Sequence, residues 1–373
     1  MRLAFTCALV AAALGQSSFS ARGLGELTPP ADARVNALGG PVALSYLNPG
    51  INILLPRVTV SGTFEASGVV GSSTGAGRLV ADVRPAGLHA AVPLPYGSRL
   101  LLGLDRRFSQ DFDVWSESLE QTEYRYHITG RGGLQALRVG LAGSLLDAAC
   151  VGVEYNRLLG AAREDWRLEL PGYGYSSTDT VELDYSANTF RLGASFRLSG
   201  LGLGLFYEPP LVLGARSFRR VNGVVEDSII EHRLRLPSVL AGAASFAPSA
   251  RFLVVAGLDY RPWSGITVGD TALAGACDAI GASFGAEFFV GRIPARCGYS
   301  YRQWYYAAGN GDALDEHRLH VGAGIPVPGF GSVNLCLEAA RRTAGGLEET
   351  AGRLGLTLAY HEAWLQRTRR WGY

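Results

Sequence analysis

The sequence predicts an all-β protein, namely a transmembrane antiparallel β-barrel of about 14 strands with an N-terminal plug segment. Three observations predict this class. Apolar residues alternate with small or charged residues along most of the chain. Short turns alternate with connections that are mostly longer. After the N-terminus, no segment has the roughly 18 to 20 consecutive apolar residues that a membrane helix needs.

The N-terminus, "MRLAFTCALVAAALGQSS", predicts a secretory signal peptide over residues 1–16. Arg2 supplies the positive charge, Leu3 to Leu14 form a short apolar core, and small residues follow. An N-terminal buried strand is the alternative. A signal peptide implies export, and together with a barrel it predicts the outer membrane of a Gram-negative-type bacterium.

Charge is nearly balanced, with 34 basic and 33 acidic residues. A nucleic-acid-binding protein usually carries a basic excess. We therefore expect no nucleic acid as a partner.

The final strand shows the alternation in its simplest form. Leu354, Leu356, Leu358 and Tyr360 alternate with small or polar residues such as Gly355. In a soluble sandwich the apolar face would point into a core, whereas in a barrel it would face lipid. The same period over the whole chain predicts strands near 57–66, 78–93, 97–108, 124–143, 148–169, 179–197, 200–216, 228–246, 250–263, 277–290, 293–307, 315–326, 330–344 and 350–364.

The connections favour the barrel over the sandwich. Short turns such as "LPYG" and "APSA" alternate with longer loops such as "SQDFDVWSESLEQT" and "SFRRVNGVVEDS". Periplasmic turns and extracellular loops of a barrel differ in this way. We therefore interpret 57–364 as the barrel, preceded by a plug segment at 17–56 and followed by a periplasmic tail at 365–373.

Charged residues alternate with apolar neighbours in the predicted strands. Burial in a sandwich core would leave many of these charges unpaired at a cost of several kcal/mol each. In a barrel they would face a wet lumen, where they can form pairs. The residues that we predict to face the lumen are Arg191, Arg197, Glu287, Arg296, Arg318 and Glu338.

Two predicted strands contain proline. Pro209 and Pro210 interrupt the seventh strand, and Pro237 interrupts the eighth. Since proline cannot donate to a strand ladder, these positions are candidate breaks in the barrel wall.

The last strand resembles the C-terminal recognition signal of outer-membrane barrels. Arg353, Gly355, Leu358 and Tyr360 match its polar, glycine, hydrophobic and aromatic positions. The resemblance implies the barrel-assembly machinery as a partner. The tail "HEAWLQRTRRWGY" departs from it, because such chains usually end at the signal.

The segment before the first strand resembles the plug of the FadL/TodX family of outer-membrane transporters for hydrophobic compounds, which includes PorV-like relatives. Gly39 and Gly40 match its Gly-Gly stretch, and Asn48 and Pro49 match its Asn-Pro-Ala motif, in which Gly50 replaces Ala. From the residues alone, "LNPG" is a turn, either in an ordinary loop or in a plug that folds back into the lumen.

The resemblance implies a 14-stranded barrel for passive uptake of hydrophobic small molecules such as long-chain fatty acids or aromatic hydrocarbons. Such a protein would have the outer-membrane lipid bilayer and a hydrophobic ligand as partners. A PorV-like scaffold for protein secretion or surface attachment is the alternative, and a general porin is a third possibility.

The sequence indicates no enzyme. It contains no nucleophile elbow, Walker loop or HExxH motif. His317 and His320 are spaced as HxxH, but on a strand they point to opposite faces. The even number of cysteines in the mature chain, four, permits disulfides, but their wide spread favours a role as small apolar fillers. We therefore predict no catalytic residues, no cofactor and no metal.

Overall fold

The computed structural model describes residues 23–54, 58–72, 79–118, 124–146, 148–225, 229–269, 271–273, 275–307, 313–345 and 347–362. The predicted signal peptide at 1–16 and tail at 365–373 lie outside the described residues. Among the helices in the described ranges, none is long and apolar enough to cross a membrane.

Fourteen antiparallel strands form a closed barrel, as the sequence predicts. Each strand pairs with the next, and the ladder from Val58↔Glu362 to Ser72↔Glu348 joins the first strand to the last. The strands are β1 (Val58–Ser72), β2 (Leu79–Pro93), β3 (Ser98–Ser109, continued by Phe112–Ser118), β4 (Tyr124–Leu146), β5 (Ala149–Leu170), β6 (Tyr175–Leu198), β7 (Leu201–Glu208, continued by Leu211–Val221), β8 (Ile230–Leu236, continued by Val239–Ser249), β9 (Phe252–Arg261), β10 (Ala279–Val290), β11 (Ile293–Ala307), β12 (Ala313–Val327), β13 (Gly331–Ala344) and β14 (Leu347–Glu362).

The alternation of the sequence separates the two faces of the wall. In β14, the Leu354 side chain is 48% exposed, whereas inward-facing Thr357 is 1% exposed. The same pattern recurs around the barrel, where the exposed outer residues include Leu205, Leu258, Leu319, Val321 and Leu337. Because the outer face is apolar and the inner face polar, this barrel is inverted relative to a soluble core and suits a bilayer.

Several strands extend further than the alternation predicts. Phe112–Ser118 lies within the predicted loop "SQDFDVWSESLEQT", and β7 continues to Val221. The β5–β6 ladder continues to Leu170↔Tyr175, so only four residues connect these strands. In the extension of β7, polar residues occupy consecutive positions, as in Arg219 and Arg220. Because the extensions lack an apolar face, their sequences do not show the alternation of apolar and polar residues that predicts a strand.

Residues 23–54, here called the N-terminal segment, precede β1. A short strand, Glu26–Leu27, pairs with Ser109 and Phe108 of β3. Helix α1 (Ala33–Ala37) follows, and its N-cap Asp32 accepts a hydrogen bond from the Arg34 backbone N–H. Two 3-10 helices, Val42–Leu44 and Pro49–Leu54, complete the segment.

The outward position of Leu354 leads to a stability prediction. We expect Leu354→Arg to destabilise the inserted barrel by about 2 to 4 kcal/mol, because a guanidinium would lie in lipid near the middle of β14. The matched control is Leu198→Arg. Leu198 also faces outward, but it is the last residue of β6, where the penalty should fall to about 0 to 1 kcal/mol. Urea-dependent unfolding in lipid vesicles measures both. Equal losses would contradict the lipid-facing assignment.

Candidate functional site

Hydrogen bonds tie the N-terminal segment to inward-facing wall residues. The Leu24 N–H donates to the Tyr305 hydroxyl at 2.9 Å, and that hydroxyl donates to the Gly25 carbonyl at 2.8 Å. On the β1–β14 side, the Ala33 N–H donates to Thr357 Oγ1 at 2.8 Å. The segment therefore lies against the inner surface of the wall at both of these places.

Inward-facing glycines bring the wall backbone close to the segment. A β-carbon at Gly298 would lie 2.4 Å from the Gly39 nitrogen, and one at Gly285 would lie 2.4 Å from the Leu38 carbonyl oxygen. Any side chain at these positions would displace the segment. Gly39 and Gly40 have φ of 90° and 73°, a left-handed geometry that favours glycine and turns the chain after α1.

Asn48, Pro49 and Gly50 form a compact turn against β6. Asn48 Nδ2 donates to the carbonyls of Ala43 at 2.7 Å and Ala194 at 3.2 Å, and its Oδ1 accepts from the Gly50 N–H at 3.0 Å. Gly50 does not adopt a positive φ, although a glycine could. Instead, a β-carbon there would lie 2.8 Å from the Ala194 α-carbon, so close approach explains the glycine.

Of the charges predicted to face the lumen, the structure buries Arg191, Glu287, Arg296, Arg318 and Glu338. Four of them form two ion pairs with one another. Arg318 Nη1 lies 2.5 Å from Glu338 Oε2, and Arg296 Nε lies 2.6 Å from Glu287 Oε2. Arg191 pairs with Glu208 at 3.0 Å. Arg197, on the same face as Arg191, is exposed at the end of β6.

The largest ionic network among the described residues includes a carboxylate of the N-terminal segment, which the sequence did not reveal. Glu26 Oε1 lies 3.2 Å from Arg353 Nη2 and 3.8 Å from Arg318 Nη2, and it also contacts Arg342. Arg342 in turn contacts Glu316 at 2.6 Å and Glu349 at 3.3 Å. We call these residues the Glu26 network. It joins the N-terminal segment to β12, β13 and β14.

A second network lies on the other side of the lumen. Arg138 contacts Glu154 at 3.1 Å and also Asp105, and its Nη1 donates to the Tyr46 carbonyl at 3.2 Å. Arg107 reaches Glu208 at 2.9 Å. Arg138 of this second network therefore also holds the N-terminal segment, at the Tyr46 carbonyl.

An apolar cluster occupies another part of the lumen. Leu24 and Leu27 of the N-terminal segment meet Trp263 and Ile266, which come from the connection between β9 and β10. Trp263 stacks on Tyr305 with ring centroids 4.3 Å apart. The wall contributes inward-facing residues that include Phe108, Leu134, Leu158, Leu211, Leu213, Trp304, Tyr306 and Leu314.

Asp278 fixes the end of the β9–β10 connection at the rim. It accepts hydrogen bonds from the Ser264 N–H at 2.9 Å and from the Tyr260 hydroxyl at 2.6 Å. Hydrogen bonds from Ser264 and Tyr260 lower the pKa of Asp278, because they stabilise its ionised form. The hydrogen bond to Ser264 fixes the residue that follows Trp263, and so helps to hold Trp263 within the apolar cluster.

The three predicted strand-breaking prolines lie together in one break of the wall. The β7–β8 ladder stops at Glu208↔Val239 and resumes at Leu211↔Leu236, so Pro209, Pro210 and Pro237 lie between its two halves. The adjacent β6–β7 ladder is interrupted at the same level, with residues 187–191 outside the register. Arg191 and Glu208 form their ion pair on the lumen side of this break.

A second break, between β2 and β3, was not predicted. The β2–β3 ladder ends at Gly87↔Asp105. Beyond it, Phe108 and Ser109 pair with the N-terminal segment. An ion pair between Arg84 of β2 and Asp111 crosses the opening. Here the N-terminal segment takes the place of a wall strand.

The residues of the C-terminal signal point to both faces. Arg353 joins the Glu26 network, and a β-carbon at Gly355 would lie 3.7 Å from the Ala33 β-carbon. Leu358 is exposed on the outer face, and Tyr360 packs against Phe330 with ring centroids 5.1 Å apart.

The fold and the lumen contacts define a closed β-barrel whose inner wall holds its own N-terminal segment. Solved transporters share this fold. A FadL homologue from Pseudomonas aeruginosa superimposes with a TM-score of 0.62 and 13% identity, covering 94% of this chain and 98% of that chain. The toluene transporter TbuX from Ralstonia pickettii gives 0.63 and 13%, covering 90% and 98%. TodX from Pseudomonas putida, also a toluene transporter, gives 0.60 and 14%, covering 89% and 98%.

No family model matches the sequence, and no curated protein matches it. The likeness to the solved structures therefore establishes the fold.

Proposed function

We propose that this protein is an outer-membrane channel for passive uptake of hydrophobic small molecules, with long-chain fatty acids or aromatic hydrocarbons as substrates. The apolar cluster inside the lumen carries this proposal. Phe108, Trp263, Tyr305 and Trp304 are buried in this cluster, and an apolar solute that displaces part of their packing would gain apolar contacts there, which a water-filled polar pore cannot provide. The solved structures of toluene transporters with this fold support the same class of substrate.

The N-terminal segment acts as the plug in this proposal. It touches the wall at β1, β6, β11 and β14 through hydrogen bonds, and it supplies Glu26 to a buried ionic network. A ligand entering from outside would meet Leu24 and Leu27 of the plug at the apolar cluster. A general porin needs an open polar path, and this arrangement argues against one. The bilayer and the barrel-assembly machinery, which would recognise β14, remain proposed partners.

A lateral exit completes the proposed route. Release into the bilayer would spare an apolar ligand from crossing water, which is costly in proportion to its apolar area. The break at Pro209, Pro210 and Pro237 offers one opening, because no strand ladder bridges it. The β2–β3 break offers another, although there the N-terminal segment pairs with the free edge of β3.

The proline break can be tested by restoring its ladder. In the triple variant Pro209→Val, Pro210→Thr, Pro237→Val, three N–H donors return and the two halves of the β7–β8 ladder can join. We expect uptake of labelled oleate and toluene to fall several-fold in a bacterial host deprived of its own channel of this class. Pro326→Val is the matched control, because Pro326 already lies in the β12–β13 register opposite Ser332.

The outcomes distinguish an error in the position of the lateral exit from an error in the proposed transport function. Wild-type uptake by the folded triple variant would place the exit elsewhere, with the β2–β3 break as the next candidate. No uptake above background by the wild-type protein would refute the transport proposal itself.

A further inference from the structure

Three metal-binding side chains meet on the inner wall beneath α1. His320 lies on β12, and Glu338 lies directly opposite it on β13. Cys336 is two residues before Glu338 on the same strand and therefore shares its inward face. All three are buried, at 4%, 3% and 1% exposure for His320, Glu338 and Cys336. Neither the transport route nor the two ionic networks needs a thiol or an imidazole at this place.

The potential ligand atoms converge. Cys336 Sγ lies 3.8 Å from Glu338 Oε1, and His320 Nδ1 lies 4.0 Å from the same oxygen. All three atoms lie within 4.8 Å of one another. Tetrahedral zinc with bonds of about 2.0 to 2.3 Å requires ligand atoms roughly 3.3 to 3.7 Å apart. The two distances to Glu338 Oε1 therefore need only a modest contraction.

His320 is oriented for ligation. Its Nε2 lies 2.8 Å from Ser300 Oγ, whereas its Nδ1 is buried with no hydrogen-bond partner among the described residues. When Nε2–H donates to the serine, Nδ1 presents its lone pair toward Glu338 and Cys336. Metal-binding histidines are commonly fixed in this way by a hydrogen bond to the other ring nitrogen.

Nearby arginines occupy only one side of the carboxylate. Arg318 and Arg353 approach Glu338 Oε2, at 2.5 Å and 3.5 Å, and leave Oε1 facing His320 and Cys336. Contacts of these arginines with Glu26 and Glu316 offset their charge. A dication would displace the thiol proton to solvent, so thiolate and carboxylate together would balance its charge.

We propose that His320, Cys336 and Glu338 form a zinc-class metal site that joins β12 to β13 inside the barrel. The nitrogen, sulfur and oxygen donors suit Zn²⁺ or Co²⁺ rather than Mg²⁺, which prefers six oxygen ligands. Water would complete the coordination. The site is independent of the transport proposal, since its ligands lie outside the apolar cluster and the proline break.

Cobalt binding to the full-length barrel tests the site. The protein is refolded in detergent with Co²⁺, dialysed, and examined by absorption spectroscopy and by elemental analysis for bound metal. We expect one equivalent of Co²⁺, a thiolate-to-cobalt charge-transfer band, and its displacement by Zn²⁺ but not by Mg²⁺. Cys336→Ser should abolish the band, and His320→Gln should weaken binding by more than the about 10- to 100-fold that loss of an outer-shell partner costs.

Cys150→Ser is the matched control, because Cys150 is also a buried free cysteine in the wall, on β5. It should keep the full signal. Absence of stoichiometric metal in the folded wild-type protein, or an unchanged band in Cys336→Ser, would overturn the proposal. If Cys336→Ser does not fold, unchanged affinity in folded His320→Gln has the same consequence.

Discussion

Deletion of residues 20–47 is expected to raise the single-channel conductance of the barrel several-fold in planar bilayers. The deletion removes α1, the Gly39–Gly40 turn and Glu26, which together contact several strands of the inner wall. It leaves all fourteen wall strands intact, since the first of them begins at Val58. The lumen would lose the segment that we propose as its plug.

The deleted barrel should still fold. Without Glu26, Arg342 keeps Glu316 and Glu349 as partners, and Arg353 keeps Glu338. Heat-sensitive migration in gel electrophoresis identifies the folded fraction, and only folded protein is compared. A truncated barrel that folds and conducts no better than the full-length protein would show that the segment does not obstruct the lumen.

The barrel could be predicted because lipid imposes a visible pattern. Leu354, Leu358 and Val321 must be apolar on the outer face, and their neighbours alternate with them. The pattern weakens wherever the inner face is also apolar. Leu134 and Ala136 share the inward face of β4 with Arg138. The alternation of apolar and polar residues therefore does not reveal their apolar cluster. Only the folded structure shows that Trp263, in the connection between β9 and β10, packs into the same cluster.

The ionic partners could not be predicted for a different reason. Alternation indicates that Arg318 and Glu338 face inward, but it does not indicate which residues meet across strands. Glu26 lies 292 positions before Arg318 in the chain, and no local pattern links the two. The β2–β3 break was also hidden, because the segment that occupies it carries no strand pattern beyond two residues. In contrast, proline marks the β7–β8 break directly in the sequence.

Arg342 contacts three carboxylates in the Glu26 network, and Arg318 and Arg353 also contact three carboxylates each. Its side chain is 1% exposed and contacts Glu26, Glu316 and Glu349, while its guanidinium lies 4.9 Å from the centroid of the Trp304 ring. A buried ion pair contributes little net stability compared with well-packed apolar residues. Removal of one partner is costly, however, because the other charges remain buried without compensation.

We therefore expect Arg342→Leu to reduce the free energy of unfolding by about 3 to 5 kcal/mol, since buried Glu316 and Glu349 and partly buried Glu26 lose a shared partner. The adjacent Arg341→Leu is the matched control. Arg341 points to the opposite face, is 65% exposed and pairs only with exposed Glu348 at 2.6 Å among the ion pairs described. Its removal should leave stability unchanged within error, because exposed pairs contribute little. Urea unfolding of both variants in the same vesicles compares them. If Arg342→Leu unfolds at the same urea concentration as Arg341→Leu, the carboxylates around Arg342 do not depend on it for compensation of their charge.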